Sequence, residues 1–345
     1  MLIYKDMKEA ILYKKLKNNI VECAACIRRC KISDGQSGFC GVRKNTNGKL
    51  YLLVQNKAIA SQVDPIEKKP LYHFLPGSKI FSLGTIGCNL RCEFCQNFEI
   101  SQILSGFQDE TLGLSHDLTP EKIVEYCHIK KIPSIAFTYN EPTIFSEYAV
   151  ETMKLAKKYK MKGVFVSNGY ETNEALEYLD KWIDAYNIDL KAFSEDFYKE
   201  VCQGELTPVT KTIKEIYRRK KWLEITTLLV PDKNDSEKEI TQIAEFIKNI
   251  SPDIPWHLSA FYPTYKMTDV GPTAEEKLIQ AYEIGKRVGL KYVYLGNIDN
   301  QKYGQTVCPK CGEILIDRDG YKITVYKMKD GNCLECGTKI FGVWK

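Results

Sequence analysis

Between residues 79 and 295 short apolar runs alternate with longer amphipathic ones, and a strand–helix repeat of this length leaves few folds open. Residues 79–83 read as the first buried strand. Residues 120–130 form a helix, with Thr119 as cap and Pro120 in its first turn. Strands follow at 134–138, 163–166, 185–190, 223–230, 256–261 and 292–295, separated by helices at 142–159, 173–182, 212–220, 236–249 and 273–288. Such alternation predicts an α/β fold, a partial (β/α)6 TIM-like barrel, whose active site lies on the loops that leave the C-terminal ends of the strands. Those ends carry polar residues: Tyr139-Asn140-Glu141-Pro142, Ser167-Asn168-Gly169-Tyr170, Asp189-Leu190-Lys191 and Tyr262-Pro263. Turns favour Asn, Asp and Gly for their own sake, which accounts for one or two of these but not for the whole set.

The first strand runs into Gly87-Cys88-Asn89-Leu90-Arg91-Cys92-Glu93-Phe94-Cys95-Gln96-Asn97, with cysteines spaced C-x3-C-x2-C. Three thiolates hold three corners of a [4Fe-4S] cube and leave the fourth iron open, where an electron-transfer cluster would use a fourth cysteine. A zinc loop would carry a fourth Cys or His close by, and none follows within the next twenty residues.

Thirteen cysteines make further groups. Cys23-x2-Cys26-x3-Cys30-x9-Cys40, broken by Gly35 and Gly38, reads as a closed four-sulfur loop near Arg28 and Arg29. It suits structural zinc as a folding staple first, and an auxiliary iron–sulfur cluster as the alternative. Cys308, Cys311, Cys333 and Cys336, spaced C-x2-C-x21-C-x2-C with a glycine after each pair, read as a zinc ribbon. Cys127 and Cys202 stand apart and read as buried small side chains. Three domains are expected: 1–69 as a four-cysteine module, 70–304 as the barrel and 305–345 as the ribbon. Within the first, residues 8–17 read as a short amphipathic helix, and 50–54 and 58–63 as two strands of the same module.

With 44% hydrophobic and 27% charged residues, the chain has the composition of a soluble enzyme. Its longest apolar runs have strand length, far short of a membrane span, and Met1-Leu2-Ile3-Tyr4-Lys5-Asp6 lacks the order of a signal peptide. The cytoplasm is the expected location. A net charge of +5, with Lys and Glu interleaved, does not favour nucleic acid, and neither do Asp317, Asp319, Asp330 and Glu335 around the ribbon. His257 at the start of a strand reads as a satisfied core histidine.

Taken together, Cys23–Arg43, Lys69-Pro70-Leu71-Tyr72-His73-Phe74, GCNLRCEFCQN, AFTYNEPT, VSNGY, IDLKAF and the terminal cysteine pairs resemble the AmmeMemoRadiSam-system radical S-adenosylmethionine (SAM) proteins, a branch similar to pyruvate formate-lyase activating enzymes. The resemblance runs from about residue 21 to 345. It implies a [4Fe-4S] cluster on Cys88, Cys92 and Cys95 with SAM on the open iron, reductive SAM cleavage to a 5′-deoxyadenosyl radical, and an electron donor such as ferredoxin or flavodoxin. Asn140 and Glu141 would meet the SAM ammonium, although Tyr139-Asn140 stand where relatives have two glycines. Ser167 and Asn168 would meet the ribose or carboxylate, and Asp189 and Lys191 match a D-x-K element at the catalytic centre. By analogy the hydrogen donor is a glycyl residue of a protein substrate, and Memo-like and Ammecr-like proteins are associates. An RNA- or metabolite-modifying radical SAM enzyme, or a non-enzymatic iron–sulfur or zinc scaffold, are the alternatives.

Overall fold

The computed structural model describes residues 7–102 and 108–345, so Met1 to Asp6 lie outside the described residues. The chain divides into two compact units, one of residues 1–63 and 80–184, the other of 64–79 and 185–345. It is an α/β fold built on parallel strands.

In the first unit Ser134–Phe137 is the central strand, parallel on one side to Lys79–Gly84 and on the other to Lys162–Ser167. All four of its residues are buried, which is why it reads as a continuous apolar run rather than an alternating one. Helix Pro120–Ile129 is capped as its sequence predicts, the Thr119 hydroxyl accepting from Lys122 N. The expected helix at 142–159 is segmented: a 3-10 turn Pro142–Phe145, helix Ser146–Ala156, and a second 3-10 turn Lys157–Tyr159. Thr172 caps Asn173–Asp180.

The N-terminal part differs from expectation. Residues 8–17 contain strands Lys8–Glu9 and Tyr13–Lys15 instead of a helix. Ala10 and Leu12 are buried while Ile11 is exposed, an alternation of period two that sends the apolar residues inward from extended chain. These residues pack with Val21, Ile32 and Leu50. Strand Lys49–Leu52 pairs with Arg43–Thr46 and Lys8–Glu9 as part of this module. The 58–63 segment does not: Lys57–Ala58 pairs with His116–Asp117, and Ala60–Pro65 lies beside Lys79–Gly84 at the edge of the parallel strands.

The second unit carries Ala185–Asp189, Trp222–Leu229, Trp256–Ala260 and Val293–Gly296, paired in that order and all parallel. Helix Leu206–Arg218 begins six residues before the expected 212, because Pro208 falls in its first turn, where a missing N–H costs nothing. Helix Glu195–Cys202, capped by Ser194, was not expected from the sequence. The His257 ring bonds Glu224 at 2.6 Å, and Glu224 also accepts from Tyr72 N, His73 N and the Trp222 indole. His257 is thus a satisfied core histidine. Among the described residues, no helix is long and apolar enough to cross a membrane.

Candidate functional site

The three-cysteine loop leaves the C-terminal end of Lys79–Gly84 through Gly87, whose φ is +86°. A Cβ at this position would lie 2.4 Å from the Cys40 carbonyl oxygen, so the turn needs glycine on two counts. Asn140, at the end of the neighbouring strand, holds the turn. Its amide donates to Gly87 O at 2.8 Å and Thr85 Oγ1 at 3.0 Å, and its oxygen accepts from Thr85 N. Asn97 ties the far side of the loop to Tyr139 O at 2.7 Å.

Donors surround the sulfurs. Leu90 N points at Cys88 Sγ at 3.5 Å, the Asn168 amide lies 4.0 Å from the same atom, and Ser101 Oγ is 3.0 Å from Cys95 Sγ. Burial pushes the Cys88 thiol up, with Glu141 and the neighbouring thiols adding to it, so ionisation here calls for a cationic partner. Three thiols with hydrogen-bond donors to sulfur fit the ligand set of an iron–sulfur cluster.

Glu141 and Asn168 join two strand ends. Glu141 is almost wholly buried; its carboxylate accepts from Thr143 N at 2.9 Å, Asn168 N at 2.8 Å and the Ser167 hydroxyl at 2.9 Å. The Asn168 side chain donates to Asn89 Oδ1 at 2.7 Å, which carries the connection into the cysteine loop. Asn140 and Glu141, expected to meet a cofactor, also hold the chain itself through these bonds. Ser167 Oγ also lies 2.7 Å from Glu171 Oε1. One hydroxyl hydrogen cannot serve two carboxylates, so one of the pair carries a proton. In agreement, burial and then Glu171 raise Glu141 to about 7, and burial raises Glu171 as well. Glu171 follows the VSNGY motif directly, and that adjacency to Ser167 is the signal that sequence reading passed over.

The N-terminal cysteines are built against the same loop. The Arg28 guanidinium donates to Asn89 O and lies 3.6 Å over the Phe39 ring, while Arg91 reaches back to Phe39 O at 2.6 Å. Thr172 Oγ1 donates to Ala24 O at 2.5 Å, and Ile27 N to Tyr170 O at 3.0 Å. Beneath them Arg43 and Glu147 form a wholly buried pair, with Glu147 also accepting from Ile11 N and Leu12 N and Arg43 donating to Ile144 O. Burial opposes ionisation of Glu147, yet Arg43 holds it below the usual carboxylate range.

In the second unit Lys191 Nζ pairs with Asp189 Oδ2 at 2.9 Å, and Asn234 fixes the Lys191 carbonyl at 2.6 Å. Cys308, Cys311, Cys333 and Cys336 converge, with all four sulfurs within 4.8 Å of one another, so this group can bind a metal ion.

A thiol loop at the end of the first of several parallel strands, steadied by polar residues from the next strand ends, marks an α/β protein whose loop could hold a metallocofactor. Residues 83–247 match the model of the radical SAM superfamily. An uncharacterized protein of Methanocaldococcus jannaschii, MJ0808, is 41% identical over 97% of this chain and 99% of its own length. The pyruvate formate-lyase-activating enzyme of Clostridium pasteurianum is 24% identical over 48% of this chain and 67% of that protein. A radical SAM methyltransferase from Sphaerobacter thermophilus superposes with a TM-score of 0.49 at 13% identity, over 64% of this chain and 67% of the other. Residues 83–247 thus form a radical SAM domain, and that superfamily implies a [4Fe-4S] cluster and SAM cleavage.

Proposed function

We propose that Cys88, Cys92 and Cys95 hold the [4Fe-4S] cluster and that the surrounding strand ends form the SAM site. A cluster held there would supply the electron for reductive cleavage of SAM, and with it the 5′-deoxyadenosyl radical chemistry of hydrogen-atom abstraction. The observation that carries this reading is the continuous connection from the cysteine loop through Asn89 and Asn168 to Glu141, which makes three strand ends one polar assembly.

The chain's own residues have distinct tasks. Asn140 fixes the turn before Cys88, and Glu141 fixes Asn168, so both position the wall of the cofactor site. Ser167 and Asn168 face the cofactor's polar end. Asp189 and Lys191 form an ion pair, and Lys191 would take the SAM carboxylate. Burial of this wall keeps water from the reactive species.

The finer assignment is an activating-enzyme-like oxidoreductase in the cytoplasm, reduced by ferredoxin or flavodoxin and acting on a glycyl residue of a protein substrate. Memo-like and Ammecr-like proteins are its associates, and Cys308, Cys311, Cys333 and Cys336 hold zinc as a ribbon beside a (β/α)6 barrel. The motifs VSNGY and IDLKAF support the subtype, and the 24% identity to an activating enzyme agrees with it. Anaerobically reduced, reconstituted protein should convert SAM to 5′-deoxyadenosine and methionine. Cys92→Ala should lose that conversion together with the visible cluster absorption, and a variant that keeps both would overturn the ligand assignment. Transfer of deuterium from a glycyl-labelled protein into 5′-deoxyadenosine tests the substrate.

A further inference from the structure

Two groups of four cysteines lie outside the matched segment, and their sulfurs are spaced differently. A single tetrahedral ion with metal–sulfur bonds of about 2.3 Å holds its thiolates about 3.8 Å apart. Cys308 and Cys336 at 3.6 Å, and Cys311 and Cys333 at 3.7 Å, satisfy this. Among the described residues, theirs is the one group of three or more cysteine, histidine or acidic side chains whose ligand atoms all lie within 4.8 Å of one another. No three of Cys23, Cys26, Cys30 and Cys40 come that close, although all four line a single cavity. An iron–sulfur cluster asks for this wider spacing, because each thiolate binds its own iron and the inorganic core stands between them.

A second observation concerns what else faces the cavity. Asn89, from the Cys88 loop, is among its lining residues, and its amide Nδ2 is buried with no hydrogen-bond partner. A buried donor needs an acceptor, and the sulfurs of a cluster accept N–H groups.

We propose that Cys23, Cys26, Cys30 and Cys40 hold a second iron–sulfur cluster, beside the Cys88 loop, and not a single metal ion. Four protein thiolates close its coordination, so it binds no substrate. Its place against the loop is fixed by the Cys40 carbonyl over Gly87 and by Arg28 on Asn89 O. The site itself does not depend on the assignment of the Cys88 loop.

The test is metal analysis of the full chain, purified without oxygen and reconstituted with ferrous iron and sulfide. The combined variant Cys88→Ala, Cys92→Ala, Cys95→Ala should keep about half of the wild-type iron and acid-labile sulfide, with visible charge-transfer absorption. Loss of all iron from that variant, with or without a gain of zinc, would overturn the proposal. Should the variant not fold, Mössbauer spectroscopy of the wild-type protein decides: iron for two clusters per chain supports the proposal, and iron for one overturns it. Failure of the radical SAM reading would show separately, as reduced wild-type protein that leaves SAM intact.

Discussion

Cys23, Cys26, Cys30 and Cys40 match Cys308, Cys311, Cys333 and Cys336 in number and chemistry, yet the two groups are built into the chain in opposite ways. The C-terminal sulfurs draw together, and Cys308 and Cys333 pack into an apolar core with Tyr72, Tyr292, Tyr294, Leu315 and Ile316. The N-terminal sulfurs stand wider apart, and the loop that bears them is held to the three-cysteine loop by Arg28, Arg91 and the contact at Gly87. Cysteine count alone therefore does not separate a staple from a redox neighbour; the spacing of the sulfurs and what they are anchored to does.

The anchor under the N-terminal module gives the largest expected effect. Glu147→Ala leaves Arg43 buried without its counter-charge and frees Ile11 N and Leu12 N, at a cost of roughly 3–5 kcal/mol in urea denaturation. Iron content should fall with it while metal binding at the C-terminal group stays. Unchanged stability would show that the module is not held by this pair.

A matched pair of glycines comes next. Gly87→Ala meets the Cys40 carbonyl at 2.4 Å and a φ of +86°, so it should cost roughly 2 kcal/mol or more and lower SAM cleavage by an order of magnitude or more. Gly312→Ala, at φ +79° beside Cys311, has nothing within 4 Å of the new Cβ. It should cost about 1 kcal/mol and leave cleavage unchanged. Equal effects of the two on cleavage would break the contrast.

Arg28→Ala removes the stacking on Phe39 and the bond to Asn89 O, about 1 kcal/mol together, and should loosen the N-terminal cysteines without touching the C-terminal ones. Comparison of iron and zinc retention on mild heating measures it.

The remaining effect is one of pH. Glu141 has its folded pKa raised from 4.5 to about 7, so the protonated form favours the fold. That contribution, on the order of 3 kcal/mol at most, is complete below pH 4.5 and is lost as pH rises through 7. Glu171→Gln removes the neighbouring charge, lowers the Glu141 pKa and should flatten the decline of melting temperature between pH 5 and pH 8. An unchanged slope would mean that the pair does not share a proton.

Much of this organisation is legible in the residues. Periodicity located the seven parallel strands, because each is buried on both faces and reads as a short apolar block. The caps Thr119, Thr172, Ser194 and Ser236 announce helix starts, yet the Ser194 helix escaped because its eight residues carry too short a periodic signal. The segment at 8–17 is ambiguous in sequence, since lysines scattered among apolar residues fit either period. Cysteine spacing singled out three thiol groups, but spacing along the chain does not give distance between sulfurs. Nor could it show that Asn140 and Glu141 turn inward to hold the loop, or that Asn89 joins the assembly, since those contacts come from residues 26 to 79 positions apart.

The comparison is decided most directly by anomalous diffraction from crystals of the reconstituted chain, recorded at the iron and zinc edges. Iron should appear at two places, within Cys88, Cys92 and Cys95 and within Cys23, Cys26, Cys30 and Cys40, and zinc only within Cys308, Cys311, Cys333 and Cys336. A zinc peak among Cys23, Cys26, Cys30 and Cys40, or no iron beside Cys88, would contradict the account.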